Sequence, residues 1–206
     1  MSTKIAMSTT ETTAQTLLTR PKRADARRNY EKVLAAAREA FAEGGESTAL
    51  EEIARRAGVG IGTVYRHFPT KEALFEAILV RRIERLADEA GALSSAMDAG
   101  AAFFELFTRI VEDAAGRKAF TDALSRAGID VKAATSAAGQ NLLTELGALL
   151  ARAQQAGTVR RDVDLDQVIA LLVGACLAAE HGNMDRGLRA RALAIVFDGL
   201  RSKGSR

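Results

Sequence analysis

Tryptophan is absent from this 206-residue chain, and cysteine occurs once, at Cys176. A single thiol cannot close an internal disulfide, so a disulfide scaffold is excluded and a reducing cytoplasm is the expected compartment. Two histidines, His67 and His181, stand far apart in sequence. With one cysteine they cannot supply the spacing of a zinc centre or of a helical di-metal site. No Glu-x-x-His pair, no phosphate-cradling glycine loop and no nucleophile elbow occurs. No metal and no cofactor are therefore expected, and an enzyme is a poor reading. Long apolar runs are missing too. The longest, Val168 to Ala179, has 12 residues, too few to span a bilayer and suited to a buried helix. The first twenty residues are rich in Ser and Thr without an apolar core, so they do not read as a signal peptide.

What is present is helix-forming. Proline occurs only at Pro21 and Pro69, while alanine, leucine, arginine and glutamate abound. With 48% apolar and 27% charged residues, the chain can bury a core. No segment alternates apolar and β-branched residues, and no internal repeat is found. The expected class is all-α. The net charge is only +3, but its location is uneven. Residues 1–70 hold 11 Lys/Arg against 8 Asp/Glu, and residues 71–206 hold 18 of each. Seven of the bases lie between Lys4 and Lys32. A basic end on a neutral chain points to a polyanionic partner or to a solvated terminus.

Read in order, residues 1–23 form a flexible tail, and a first helix runs from about Asp25 to Glu43. Gly44-Gly45 ends it. Thr48, three residues before Glu51, is a capping-box signature for a short helix carrying Leu50, Ile53, Ala54 and Ala57 on one stripe. A three-residue turn, Gly58-Val59-Gly60, leads to a second short helix, Ile61 to His67. Two short helices joined by a glycine-bearing turn describe a helix-turn-helix. On a wheel of about 100° per residue, Ile61, Val64 and Phe68 share one face, with Tyr65 at its edge. Gly62, Thr63, Arg66 and His67 share the other, which has donors and no carboxylate, as a surface lying on phosphates requires. A long helix follows from Lys71. Further helices are expected at 97–115, 117–127, 131–156, 164–181 and 186–203. Asp164 with Gln167 is a second capping pair, and Gly182 suits a left-handed helix end.

Residues 50–75, LEEIARRAGVGIGTVYRHFPTKEALF, resemble the DNA-binding signature of the TetR (TetR/AcrR-like) family of bacterial transcriptional regulators, and the preceding helix resembles that family's first helix. The resemblance covers about residues 27–80. It implies a DNA-binding domain over 24–70, joined by a long helix to a ligand-binding and dimerisation domain over 71–206. It assigns Thr63, Tyr65, His67 and Lys71 to DNA contacts, chiefly with phosphate. The first amides of the helix that Thr48 opens can take a phosphate, and Gly62 permits close approach of the duplex. Arg66 is either a base reader, by its fit to guanine, or a solvated base. Arg23, Arg27 and Arg28 either grip DNA or belong to a loose tail. Ile61 departs from the Lys or Gln of many relatives; it packs inward or touches a thymine methyl.

The resemblance further implies a homodimer through helices 164–181 and 186–203, which place two recognition helices about 34 Å apart on a near-palindromic operator. Cys176 reads as a small buried hydrophobe. An apolar pocket for an unidentified small-molecule effector is implied among the middle helices. Its candidate lining is Phe103, Phe104, Phe107, Thr108, Phe120, Asn141 and Thr144, with His181 as an outlying polar group. The expected function is a ligand-responsive repressor. A DNA-binding regulator without an effector, or a helical-bundle enzyme, are the alternatives.

Overall fold

The computed structural model describes residues 9–202 apart from Met97 and Asn183. Among them are ten α-helices and no strand. The chain divides into two compact units, with the boundary between Leu74 and Phe75.

The first unit contains α1 (Thr9–Gly44), a 3-10 turn (Gly45–Ser47), α2 (Leu50–Ala57), α3 (Ile61–His67) and the first residues of α4 (Lys71–Ala96). Helix α1 buries Val33, Leu34, Ala36, Ala37, Ala40 and Phe41, a stripe at helical spacing. It packs on α2 and α3, which contribute Leu50, Ile53, Ala54, Ala57 and Val64, with Phe68 and Leu74 closing the core. Gly58 ends α2 in the left-handed region, at φ +66°. A side chain there would cost about 1–2 kcal/mol, so glycine sets the sharp turn into α3. Glu52 is bonded by Arg55 and then Arg56, which hold its carboxyl down at about 2. Arg56 also reaches Glu43, tying α2 to α1.

Two expectations for this unit change. Helix α1 begins at Thr9 instead of about Asp25, so the segment 9–23 assigned to a tail is helical; residues 1–8 of that tail lie outside the described residues. Its Ala, Gln, Leu, Lys and Arg favour helix, and α1 runs on through Pro21 despite the lost donor and the crowding of the carbonyl four residues before it. Thr48 does not cap α2. That position is Ala49, with no side-chain cap, because the Thr48 hydroxyl donates back to Ala40 O at 3.1 Å and Gly45 O at 3.0 Å. It pins the 3-10 turn to α1 instead.

The second unit holds the rest of α4, then α5 (Ala99–Ala115), α6 (Lys118–Arg126), α7 (Val131–Ala134), α8 (Ser136–Gln155), α9 (Leu165–His181) and α10 (Arg186–Leu200). Helix α5 is central and packs on α8 and α9. Asp98 starts it by accepting from the amides of Gly100 and Ala101. Phe103, Leu106 and Phe107 are completely buried in it, each ring contributing about 1.5–3 kcal/mol by leaving water. Leu146, Leu149 and Ala153 of α8 and Val168, Leu172, Cys176 and Ala179 of α9 pack around them. Phe197 of α10 lies 4.8 Å from Phe104 and 5.4 Å from Phe107, centroid to centroid.

The Asp164–Gln167 capping box forms reciprocally, and Asp185 caps α10. The single helix expected over 131–156 is divided at Thr135, whose hydroxyl bonds the Val131 carbonyl and competes locally with the ladder. Gly182 is not left-handed, with φ −80°. Its glycine is explained by crowding: a Cβ would stand 2.4 Å from Ala178 O. The last helix stops at Leu200, short of the expected 203, because the backbone then pairs with Val159 in an antiparallel bridge. Ser202 N donates to Thr158 O there.

One buried charge stands inside this unit. Asp113 near the end of α5 is met by Arg82 of α4, whose Nε donates to both carboxylate oxygens at 3.1 and 3.2 Å. The same guanidinium donates to the carbonyls of Asp113 (2.9 Å) and Gly116 (3.2 Å). It thereby adds a second donor to Asp113 O, which also accepts from Gly116 N at 3.0 Å, and supplies one to Gly116 O beyond the helix end. Across the same region Arg117 pairs with Glu180 of α9. Burial pushes the Cys176 thiol up to about 11, with Arg117 opposing, so it remains a protonated apolar filler.

Candidate nucleic-acid interface

Helix α3 presents its polar face outward. Val64 is buried and Ile61 half-buried on the inner side, as the wheel requires. Gly62, Tyr65 and Arg66 are exposed, with Tyr65 at 47%; Thr63 and His67 are half-buried. A Cβ placed on Gly62 would meet no atom within 4 Å. The backbone there is open to whatever lies against the helix. Helix α3 contains no carboxylate, so nothing on it repels a phosphate. Thr63, Tyr65, Arg66 and His67 are thus brought onto one short helix beside Gly62, whereas Thr48 is turned toward α1.

Two residues that the sequence reading passed over, Tyr30 and Thr70, hold this face in place together with Phe41 of the α1 stripe. Tyr30 of α1 meets His67 edge-on at 5.7 Å and lies 5.0 Å from Phe68. Thr70 accepts from Ala73 N at 3.1 Å, fixing the start of α4. Phe41 lies under the Lys71 ammonium at 5.6 Å from its ring centroid. The signals existed: Tyr30 continues the apolar stripe of α1, and Thr70 is a cap-type residue directly before a helix.

The second unit has a different exposed surface. On α9, Leu171, Val173 and Leu177 face solvent, and on α10 Leu188 and Ile195 do, the last at 75%. Leu171, Ile195, Val196 and Leu200 line an open groove of about 590 Å³. Natural monomers rarely leave such a stripe uncovered.

The eight candidate pocket residues differ in setting. Phe103, Phe104 and Phe107 are core: Phe103 packs on the other two, and those two pack on Phe197. Phe120 is buried against Phe75. The Thr108 hydroxyl is spent on Phe104 O and that of Thr144 on Gln140 O. Asn141, Thr144 and His181 are exposed, and His181 Nδ1 lies 3.2 Å from Leu177 O. Among the described residues, no group of three or more His, Cys, Asp or Glu converges to hold a metal. None of the described helices is long and apolar enough to cross a membrane.

Comparison with known proteins agrees with both units. Residues 33–78 match the family described as bacterial regulatory proteins, tetR family. Residues 98–202 match the C-terminal domain of SbtR-like transcriptional regulators. A TetR transcription regulatory protein from Mycobacterium vanbaalenii is 44% identical, with a TM-score of 0.72 over 88% of this chain and 99% of that one. The TetR regulator SCO0520 of Streptomyces coelicolor is 35% identical, with a TM-score of 0.67 over 84% and 98%. The HTH-type transcriptional regulator SAR0097 of Staphylococcus aureus (strain MRSA252) is 33% identical over 69 residues, 32% of this chain and 36% of that protein. The chain thus spans about a third of that curated relative.

Proposed function

The chain belongs to the TetR family of DNA-binding transcriptional regulators, and from that premise we propose that it is a repressor that grips a near-palindromic operator as a homodimer and releases it when a small molecule binds the second unit. The observation that carries the reading is the open, carboxylate-free face of α3. Tyr65, His67, Thr63 and Lys71 contact phosphate and set the register. Gly62 admits the duplex, and Arg66 reads a base. Phosphate contacts carry no sequence information directly. Tyr65→Phe and Lys71→Ala are therefore expected to weaken binding to all duplexes alike. Arg66→Ala is expected to cost about 1–3 kcal/mol on the preferred operator and to relax one base position. Equal losses on operator and random duplex in anisotropy titrations would remove Arg66 from that role.

The dimer is supported by the apolar stripe of α9 and α10. A two-fold partner covering Leu177 and Ile195 removes that surface from water and spaces two recognition helices one turn of DNA apart. Ile195→Glu puts an unpaired carboxylate into that interface. Light scattering should then report a monomer of native helicity that no longer holds the operator; a dimer of unchanged mass would place the interface elsewhere.

The effector part rests on family likeness and on α4, which begins at Lys71 and buries Ile78, Leu79 and Leu86 further on. The coupling is reciprocal by necessity and typically ~1–3 kcal/mol. A releasing ligand should bind the operator-bound protein more weakly by the same factor by which it weakens operator binding. Calorimetry showing equal ligand affinity in both forms would separate ligand from DNA binding.

A further inference from the structure

The basic excess at the start of the chain is not used by α3. Five of its seven bases precede Arg28, and Arg28 itself pairs with Asp25. Helix α1 buries nothing in the segment 24–28, which is exposed throughout, whereas from Val33 onward it enters the core. The helix is thus anchored from Val33 onward and exposed over residues 24–28. The anchor nearest that exposed part is Tyr30, against the last residue of α3, His67, at 5.7 Å.

Arg27 lies three residues before Tyr30. On a helix that spacing puts two side chains on the same side, their Cβ atoms about 5–6 Å apart. Arg27 is therefore the next charged group outward from Tyr30 on that flank of α1, at the edge of an open hollow it lines with Ala24, Arg28, Glu31 and Lys32. An arginine stem is long enough to pass the end of α3 from there, and a guanidinium suits a phosphate geometrically. Ala24 and Ala26 beside it are small and exposed, so bulk does not fend off a backbone. Glu31, one turn further in, is half-buried.

We propose that Arg27 is a phosphate-binding residue that extends the DNA interface from α3 onto α1, gripping the strand just outside the segment read by α3, with Tyr30 as the positioning residue that sets α1 against His67. The inference rests on the DNA-binding reading above. At about 3.4 Å of rise per nucleotide, an offset of about 5–6 Å corresponds to one or two phosphates outward from the one His67 meets.

The test uses the full chain and a palindrome selected by it from a random duplex pool, prepared with ten flanking base pairs on each side and again trimmed to its ends. Affinity is followed from 50 to 200 mM salt. Loss of one phosphate contact per protomer lowers the log–log salt slope of a dimer by about 1.8, so Arg27→Ala should lose ~12-fold less affinity than wild type over that range. The difference should appear on the flanked duplex and vanish on the trimmed one. Arg27→Lys should keep the wild-type slope. Tyr30→Leu, with Arg27 intact, should also lower the slope on the flanked duplex; an unchanged slope there would remove Tyr30 from its positioning role. A wild-type slope for Arg27→Ala on the flanked duplex overturns the proposal while leaving the DNA-binding reading intact. A pool from which the wild-type protein enriches no duplex overturns both.

Discussion

Operator affinity should fall about a thousandfold when salt rises from 50 to 200 mM. DNA binding releases condensed counterions in proportion to the phosphates neutralised, and 6–10 such contacts correspond to ~10³–10⁵ over that interval. In the proposed dimer each protomer brings Lys71 and, on the inference above, Arg27 to phosphate, and the Arg66 guanidinium displaces counterions from the groove between the phosphate rows, so six cations act and the slope sits at the low end. The neutral donors Tyr65 and Thr63 add strength with little salt dependence. Fluorescence anisotropy on a flanked palindrome gives the slope directly. A flat response, or the same affinity for palindrome and random sequence, would refute operator binding by α3, because no phosphate-gripping surface produces the one and no base-reading helix the other.

The steepness also bears on specificity. Net charge is small overall, and the surplus is confined to residues 1–70. The second unit is balanced, so it neither attracts nor strongly repels DNA. Electrostatic attraction is therefore concentrated where base reading happens, and non-specific binding should share most of the salt slope. The ratio of specific to random affinity should vary far less with salt than either affinity alone.

Much of this arrangement is written in local patterns. The wheel of α3 places Val64 and Phe68 inside and Tyr65 outside because a helix in a small unit has one partner side only. The Asp164–Gln167 box is legible for the same reason, since both partners lie within one turn. Thr48 shows where local reading fails. Its hydroxyl has two carbonyls to choose from across the 3-10 turn and takes them, leaving α2 to start at Ala49. The run Val168–Ala179 is apolar on every side, so its periodicity is silent about direction. The structure turns Val168, Leu172, Cys176 and Ala179 inward and Leu171, Val173 and Leu177 outward. The pocket candidates are ambiguous for the same kind of reason: phenylalanines that could line a cavity also fill a core, and here Phe104 and Phe107 pack on Phe197. Arg82 and Asp113 are 31 positions apart, and nothing short of the packed fold brings them together.

That last pair yields the largest expected effect on stability. The Asp113 side chain is 6% exposed and that of Arg82 16%. Taking two charges out of water is costly, and the cost is met only while each has the other. Asp113→Ala leaves a guanidinium facing two carbonyls and no anion, and such removals typically cost about 3–5 kcal/mol. Arg82 retains some water, so the low end, about 3 kcal/mol, is expected. For a chain of this size that is a fall in Tm of roughly 6–12 °C at fixed protomer concentration. Arg82→Ala should cost at least as much, because it takes the main partner from the buried carboxylate and the side-chain donor from the Gly116 carbonyl together. Arg85 lies 3.5 Å from the same carboxylate and can shield it only in part. The decisive measurement is the double mutant: if the pair acts as a unit, losing both groups costs clearly less than the sum of the single losses, leaving a coupling energy of at least about 1 kcal/mol. Additive losses, or an Asp113→Ala cost below 1 kcal/mol in urea unfolding, would mean that water already screens the site and that α4 is held to α5 by its apolar contacts alone.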